Sequence, residues 1–155
     1  MKFRFFASLT LFTTLLPAQQ QTLRPPATPL MTHNPYFSIW SNTDKLTDSD
    51  TVHWTGKPQP ITGLLRIDGH TTRFMGERPR QLPVMQQIAH AVTPTHTRYR
   101  FTSGGVQLDI TFFTPTILSD LEVLSRPVTN ISFTAKSIDG KNLITTCRSS
   151  LRSIP

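Results

Sequence analysis

A single cysteine, Cys147, occurs in this 155-residue chain, so no intramolecular disulfide can form and stability must come from a packed core. Clustered metal ligands are missing too. His33, His53, His70, His90 and His96 stand apart, with neither an HExxH helix nor paired cysteines, the spacings by which zinc sites announce themselves. Each reads as a loop or surface residue, His33 and His53 being the two that adjoin aromatic-rich segments. A GxSxG elbow is absent and Cys147 has no local base, which removes two common nucleophile arrangements. Acidic residues are few: Asp44, Asp48, Asp50, Asp68, Glu77, Asp109, Asp120, Glu122 and Asp139. Asp68 and Asp139 precede glycine and read as turn residues. The Asp44, Asp48 and Asp50 group lacks the glycine and terminal glutamate of an EF-hand loop and reads as a solvated loop. A glycosidase needs two facing carboxyl groups, and spacing alone does not pair these. No catalytic, cofactor-binding or metal-ligating residue is assigned, and no cofactor is expected.

Dense charge is also lacking. The formal charge of +7 comes from scattered cations such as Arg66, Arg73, Arg98, Arg100, Arg126, Lys136 and Arg148. Nucleic-acid binding wants several phosphate contacts on one surface, whereas Arg98 and Arg100 alternate along a strand and read as its solvated face. No nucleic-acid partner is expected. At the start, Lys2 and Arg4 precede an apolar run from Phe5 to Leu16, interrupted by Ser8 and three threonines, and Pro17 and Ala18 end it. This is the pattern of a signal peptide over residues 1–18. The polar run Gln19 to Gln21 arrives before the roughly 20 apolar residues that a membrane helix needs. A secreted or periplasmic protein with no stable membrane span after cleavage is expected, an uncleaved anchor being the alternative. Cleavage removes two cations and no anion, so the charge falls from +7 to +5.

What is present is proline and strand pattern. Pro25, Pro26, Pro29 and Pro35 exclude a regular helix over residues 22–35 and predict an extended or polyproline-like lead-in. Tyr36 to Trp40 reads as a buried or half-buried strand, and residues 41–49 as a loop. Two strands, 61–67 and 71–75, flank Asp68-Gly69-His70, a strong hairpin signal. Residues 84–92 fit a strand, with helical spacing as the competing pattern. The clearest alternation runs from Thr97 to Phe113: Tyr99, Phe101, Val106, Leu108, Ile110 and Phe112 share one face across a Ser103-Gly104-Gly105 turn. Burying those side chains contributes on the order of 10 kcal/mol in gross transfer terms, most of it offset by chain entropy. Ile131, Phe133 and Ala135 mark a further strand before an Ile138 to Lys141 turn. The fold class expected is all-β, an antiparallel β-sandwich-like region, incomplete at the C-terminus. Trp40 and Trp54, with Tyr36 and Phe37, favour core or inter-domain packing, the alternative being a stacking platform in a carbohydrate- or surface-binding module.

Five blocks in order carry a family resemblance: Arg24 to Leu30 leading into Thr32-His33-Asn34-Pro35-Tyr36-Phe37-Ser38-Ile39-Trp40-Ser41; His53-Trp54-Thr55-Gly56; Gly63 to Gly69 with Phe74-Met75-Gly76; Leu108 to Pro115; and Leu124 to Val128. The chain resembles the opening of the glutaminase A-like proteins of fungi and bacteria. That resemblance implies a secreted or periplasmic protein several times longer, in which an N-terminal β region precedes a large helical catalytic domain that hydrolyses L-glutamine to L-glutamate and ammonia. It implies a short module over residues 19–80 and the start of a β-sandwich domain over residues 81–141. The family continues with another strand of the same sheet, whereas residues 142–155 are polar and lack alternation, so this tail reads as aberrant or truncated. The expected role is a non-catalytic β region whose partner is the helical catalytic domain of the same chain. No family catalytic residue maps onto a position here. An unpaired sheet edge and poor stability are expected with the tail lost.

Overall fold

The computed structural model describes residues 25–142 and 145–151; residues 1–24, where the signal peptide was expected, and residues 143–144 and 152–155 lie outside them. Among the described residues the regular structure is almost entirely antiparallel strand, an all-β, sandwich-like fold as expected. Four strands make the larger sheet in the order β5 (Gln86–Val92), β6 (His96–Ser103), β7 (Val106–Phe113), β8 (Asn130–Ser137). A three-stranded sheet places β3 (Ile61–Ile67) between β4 (His70–Met75) and β9 (Thr145–Leu151). The hairpin of β1 (Thr28–Asn34) and β2 (Phe37–Ser41) is a separate pair.

Two tight turns set the registers. Ile67 pairs with His70 and Ser103 with Val106, so each loop has two residues. Both residues of each take positive φ: 46° and 88° at Asp68 and Gly69, 54° and 73° at Gly104 and Gly105. That twist matches the twist of the flanking strands. With register fixed, the six apolar side chains of β6 and β7 fall on one face and are at most 2% exposed, while Arg98 and Arg100 lie exposed between them.

The layer opposite is supplied by Phe74 on β4, whose ring centroid is 6.1 Å from Phe101 and 6.0 Å from Phe133. Gly63, on the neighbouring strand, makes room for that ring: a Cβ there would lie 2.1 Å from it. From β1, Leu30 and Met31 enter the same core, and the Thr97 hydroxyl donates to the Pro29 carbonyl at 2.6 Å.

The finer expectations fare differently. The proline lead-in is extended as expected and forms a strand from Thr28, its prolines falling outside it or beside a register shift between Pro29 and Met31. Tyr36 is outside β2 and 92% exposed. The Asn34 carboxamide oxygen accepts from the Tyr36 and Phe37 amides, both at 2.9 Å, turning the chain locally. Residues 86–92 form the strand expected there, mostly exposed at the sheet edge with a bulge at Gln87 to Ala89. Ala135 is exposed, unlike Ile131 and Phe133, which pack on the core.

The tail holds a strand that its residue pattern did not signal: Thr145–Leu151 pairs along the whole length of β3. Backbone pairing at an edge needs no apolar alternation, so side-chain pattern did not reveal it. The strand joins the sheet opposite β8, and β8 is the edge of its own sheet. A five-residue helix, α1 (Leu121–Ser125), lies in the connection from β7 to β8, capped by the Asp120 carboxylate accepting from the Val123 amide at 3.0 Å.

Candidate functional site

The residues first considered for chemistry are mostly committed to structure. Asp109 is bonded by Arg100 at 2.6 Å and Gln107 at 2.9 Å, and the Arg100 bond holds its carboxyl below the usual range. Asp139 accepts from the Lys141 amide and the Ser137 hydroxyl, the amide being the main cause of its lowered pKa. A glycosidase-type general acid needs a raised carboxyl pKa; both of these move the other way. Glu77 pairs with Arg80 and Glu122 with Arg126. Asp50 accepts from the Glu77 amide at 2.8 Å.

The acidic loop has its own cation. Arg73 is 5% exposed and donates to the Thr47 and Gly76 carbonyls. Burial lowers its pKa while the nearby Asp50 and Asp48 raise it. The loop read as solvated therefore folds inward, and Leu46, 1% exposed, is a core residue. Its amide donates to the Gln87 side chain at 3.0 Å and its carbonyl accepts from Gly76 at 2.9 Å. Among the described residues no group of three or more His, Cys, Asp or Glu could hold a metal ion, and no helix is long and apolar enough to cross a membrane. On β9, Cys147 pairs with Leu65 of β3; the residue is exposed, yet desolvation of its sulfur pushes the pKa up to about 11.

The histidines pack mainly on aromatic rings. His90 stacks on Tyr99 at 4.5 Å and His96 on Phe113 at 4.4 Å. His33 stacks on Phe37 at 5.3 Å, its Nε2 lying 2.8 Å from the Thr129 hydroxyl. Desolvation lowers the pKa of His33 and His90. Burial pushes the Tyr99 phenol up to about 12. His70 starts β4, exposed.

What the fold brings together is an open trough of about 570 Å³ at the end of the β1 and β2 hairpin, lined by His33, Pro35, Ser38, Trp40 and Trp54 among others. Ser38 and Trp40 are two apart on β2 and so share a face. Trp40 exchanges backbone hydrogen bonds with Val52, at 2.8 and 3.0 Å, which ties residues 51–54 to β2. The Trp54 indole N–H donates to the Pro35 carbonyl at 2.5 Å. His53 joins it there: its Nδ1 accepts from the Thr55 amide at 3.3 Å, so Nε2 carries the proton and donates to Pro35 at 3.0 Å. Trp54 is thus held at its edge while 61% exposed. Two polar atoms in this wall, Ser38 Oγ and Trp40 Nε1, are buried without a hydrogen-bond partner. The two tryptophans were candidates from sequence; Ser38 was not, because a serine in a strand carries no signal of orphaned burial.

A second surface lies along the connection from β7 to β8. Ile117, Leu118, Leu121, Leu124 and Val128 are all exposed, and α1 buries none of its residues.

Comparison with known proteins adds three findings. The family model described as Domain of unknown function (DUF4964) matches residues 7–88. A second, described as Domain of unknown function (DUF5127), matches residues 95–144. Glutaminase A of Aspergillus oryzae (strain ATCC 42149 / RIB 40) is 29% identical over 126 residues, which are 76% of this chain and 18% of that protein. The relation is distant and supports a general family link. The chain spans about a fifth of the length of the curated relative it matches. No solved structure matches.

Proposed function

The chain belongs to the Domain of unknown function (DUF4964) family, and on that premise we propose that it is the non-catalytic N-terminal β region of a secreted or periplasmic glutaminase-like amidohydrolase. Its role is to pack against a large helical catalytic domain, normally of the same chain, where L-glutamine is hydrolysed to L-glutamate and ammonia. The observation that carries this reading is the exposed apolar stripe from Ile117 to Val128, a surface suited to burial against another domain. The distant likeness to glutaminase A supports the reaction class.

Amide hydrolysis needs an activated nucleophile or water and donors for the tetrahedral oxyanion. Among the described residues Glu77, Glu122 and Asp109 are held in ion pairs and His90 and His96 in ring stacks, which supports a role other than turnover. The segment division that goes with this role is a signal peptide at 1–18, a short module at 19–80, the start of a β-sandwich at 81–141 and a tail at 142–155. The purified chain is expected to release no more ammonia from L-glutamine than a protein-free control. Turnover above that control, lost on denaturation, would overturn the non-catalytic role.

A further inference from the structure

We propose that the trough beside Trp54 is a binding site for a neutral saccharide. The inference stands on the trough alone and does not depend on the glutaminase-like reading. Three features carry it. The first is the platform: Trp54 is 61% exposed and pinned at its edge through the Pro35 carbonyl, so its ring is presented in a fixed pose. A rigid aromatic surface with little rotamer freedom to lose suits stacking against the C–H face of a sugar ring.

The second is the pair of orphaned polar atoms. Ser38 is 4% exposed, and its Oγ, like Trp40 Nε1, lacks a partner. Buried polar groups are ordinarily paired, and an exception calls for a reason. A ligand bearing hydroxyl groups supplies an acceptor for the indole N–H, which can only donate, and either role for the serine. Both residues line the trough, the two atoms lying just beneath its surface.

The third is charge. No Asp, Glu, Lys or Arg lines the trough, and desolvation favours the neutral form of His33. A carboxylate or phosphate ligand would find no cation, and an amine no anion, which leaves a neutral partner. The volume of about 570 Å³ falls within the range of roughly 300–1,000 Å³ common to small-ligand sites. A proline-rich peptide also seeks aromatic grooves, but it docks between several aromatic walls, and of the rings lining this trough Trp54 alone is exposed.

The test titrates the full chain with neutral hexasaccharides of β-1,4-linked glucose, α-1,4-linked glucose and β-1,4-linked xylose, followed by saturation-transfer NMR and calorimetry. At least one is expected to bind through its ring C–H protons, with Trp54→Ala weakening it about tenfold or more. Ser38→Ala removes a hydroxyl that has no partner in the fold, so it is expected to leave thermal unfolding unchanged and weaken binding about threefold. This second variant decides the matter should Trp54→Ala disturb folding. Failure of all three sugars to bind, binding unchanged in Ser38→Ala and in a folded Trp54→Ala, or preference for a polyproline peptide over every sugar would each overturn the proposal.

Discussion

Residues 99–112 and residues 117–128 are both rich in large apolar side chains, and they end in opposite environments. In the first stretch Tyr99, Phe101, Val106, Leu108, Ile110 and Phe112 are at most 2% exposed, whereas Ile117, Leu118, Leu121, Leu124 and Val128 range from 37% to 78%. The difference lies in what each pattern can recruit. Alternation at period two across a two-residue turn makes one broad face, which the three-stranded sheet and the β1 and β2 hairpin cover. The second stretch has the three- and four-residue spacing of a helical stripe, yet its helix is five residues long and buries none of them. One region is the core of this module. The other stays at the surface.

The sharpest way to break that contrast is at its buried end. Phe101→Ala removes a ring with no exposure and is expected to destabilise the chain by about 3–5 kcal/mol, read from urea unfolding. A loss below about 1 kcal/mol would mean that the face is not where stability resides. Gly63→Ala tests the covering layer, since its methyl group would collide with the Phe74 ring that bridges the sheets. Such overpacking is expected to destabilise by about 1–3 kcal/mol. A neutral effect would show that Phe74 can move aside without loosening the core.

Acid tests the hairpin that joins the core to the trough. Folding lowers the pKa of His33 and His90 below their ordinary 6.5. The unfolded chain therefore binds more protons as pH drops through that value, and stability present above it is lost below it. The thermal midpoint should fall between pH 7.5 and pH 5 by less than Phe101→Ala lowers it, and the slope should flatten in a His33→Asn, His90→Asn double variant. An unchanged slope would remove these two rings from the explanation. At the exposed end, Leu118→Ser and Leu121→Ser should each alter stability by no more than about 0.5 kcal/mol. They should also weaken association of the chain with a helical partner domain. A destabilisation rivalling that of Phe101→Ala would show that the stripe belongs to the core and erase the contrast.

The β6 and β7 hairpin and the Asp68-Gly69 turn were legible because they are local: alternation and two positive-φ residues settle them within a few positions of chain. Leu46 was not legible, because a lone leucine in a polar run looks solvated until Gln87, 41 residues away, bonds its amide. The pairing of the tail was not legible for a related cause: β9 contributes hydrogen bonds to β3 rather than an apolar face.

By itself, then, the sequence determined strand class, the principal core face and the tight turns, since each depends on neighbours in the chain. Tertiary structure alone decided that Arg73 would be buried beneath the acidic loop, that the tail would complete the opposite sheet, and that Ser38, Trp40 and Trp54 would share one trough. Those outcomes depend on which distant surfaces meet, and burial, charge pairing and orphaned polar atoms exist only once they have met.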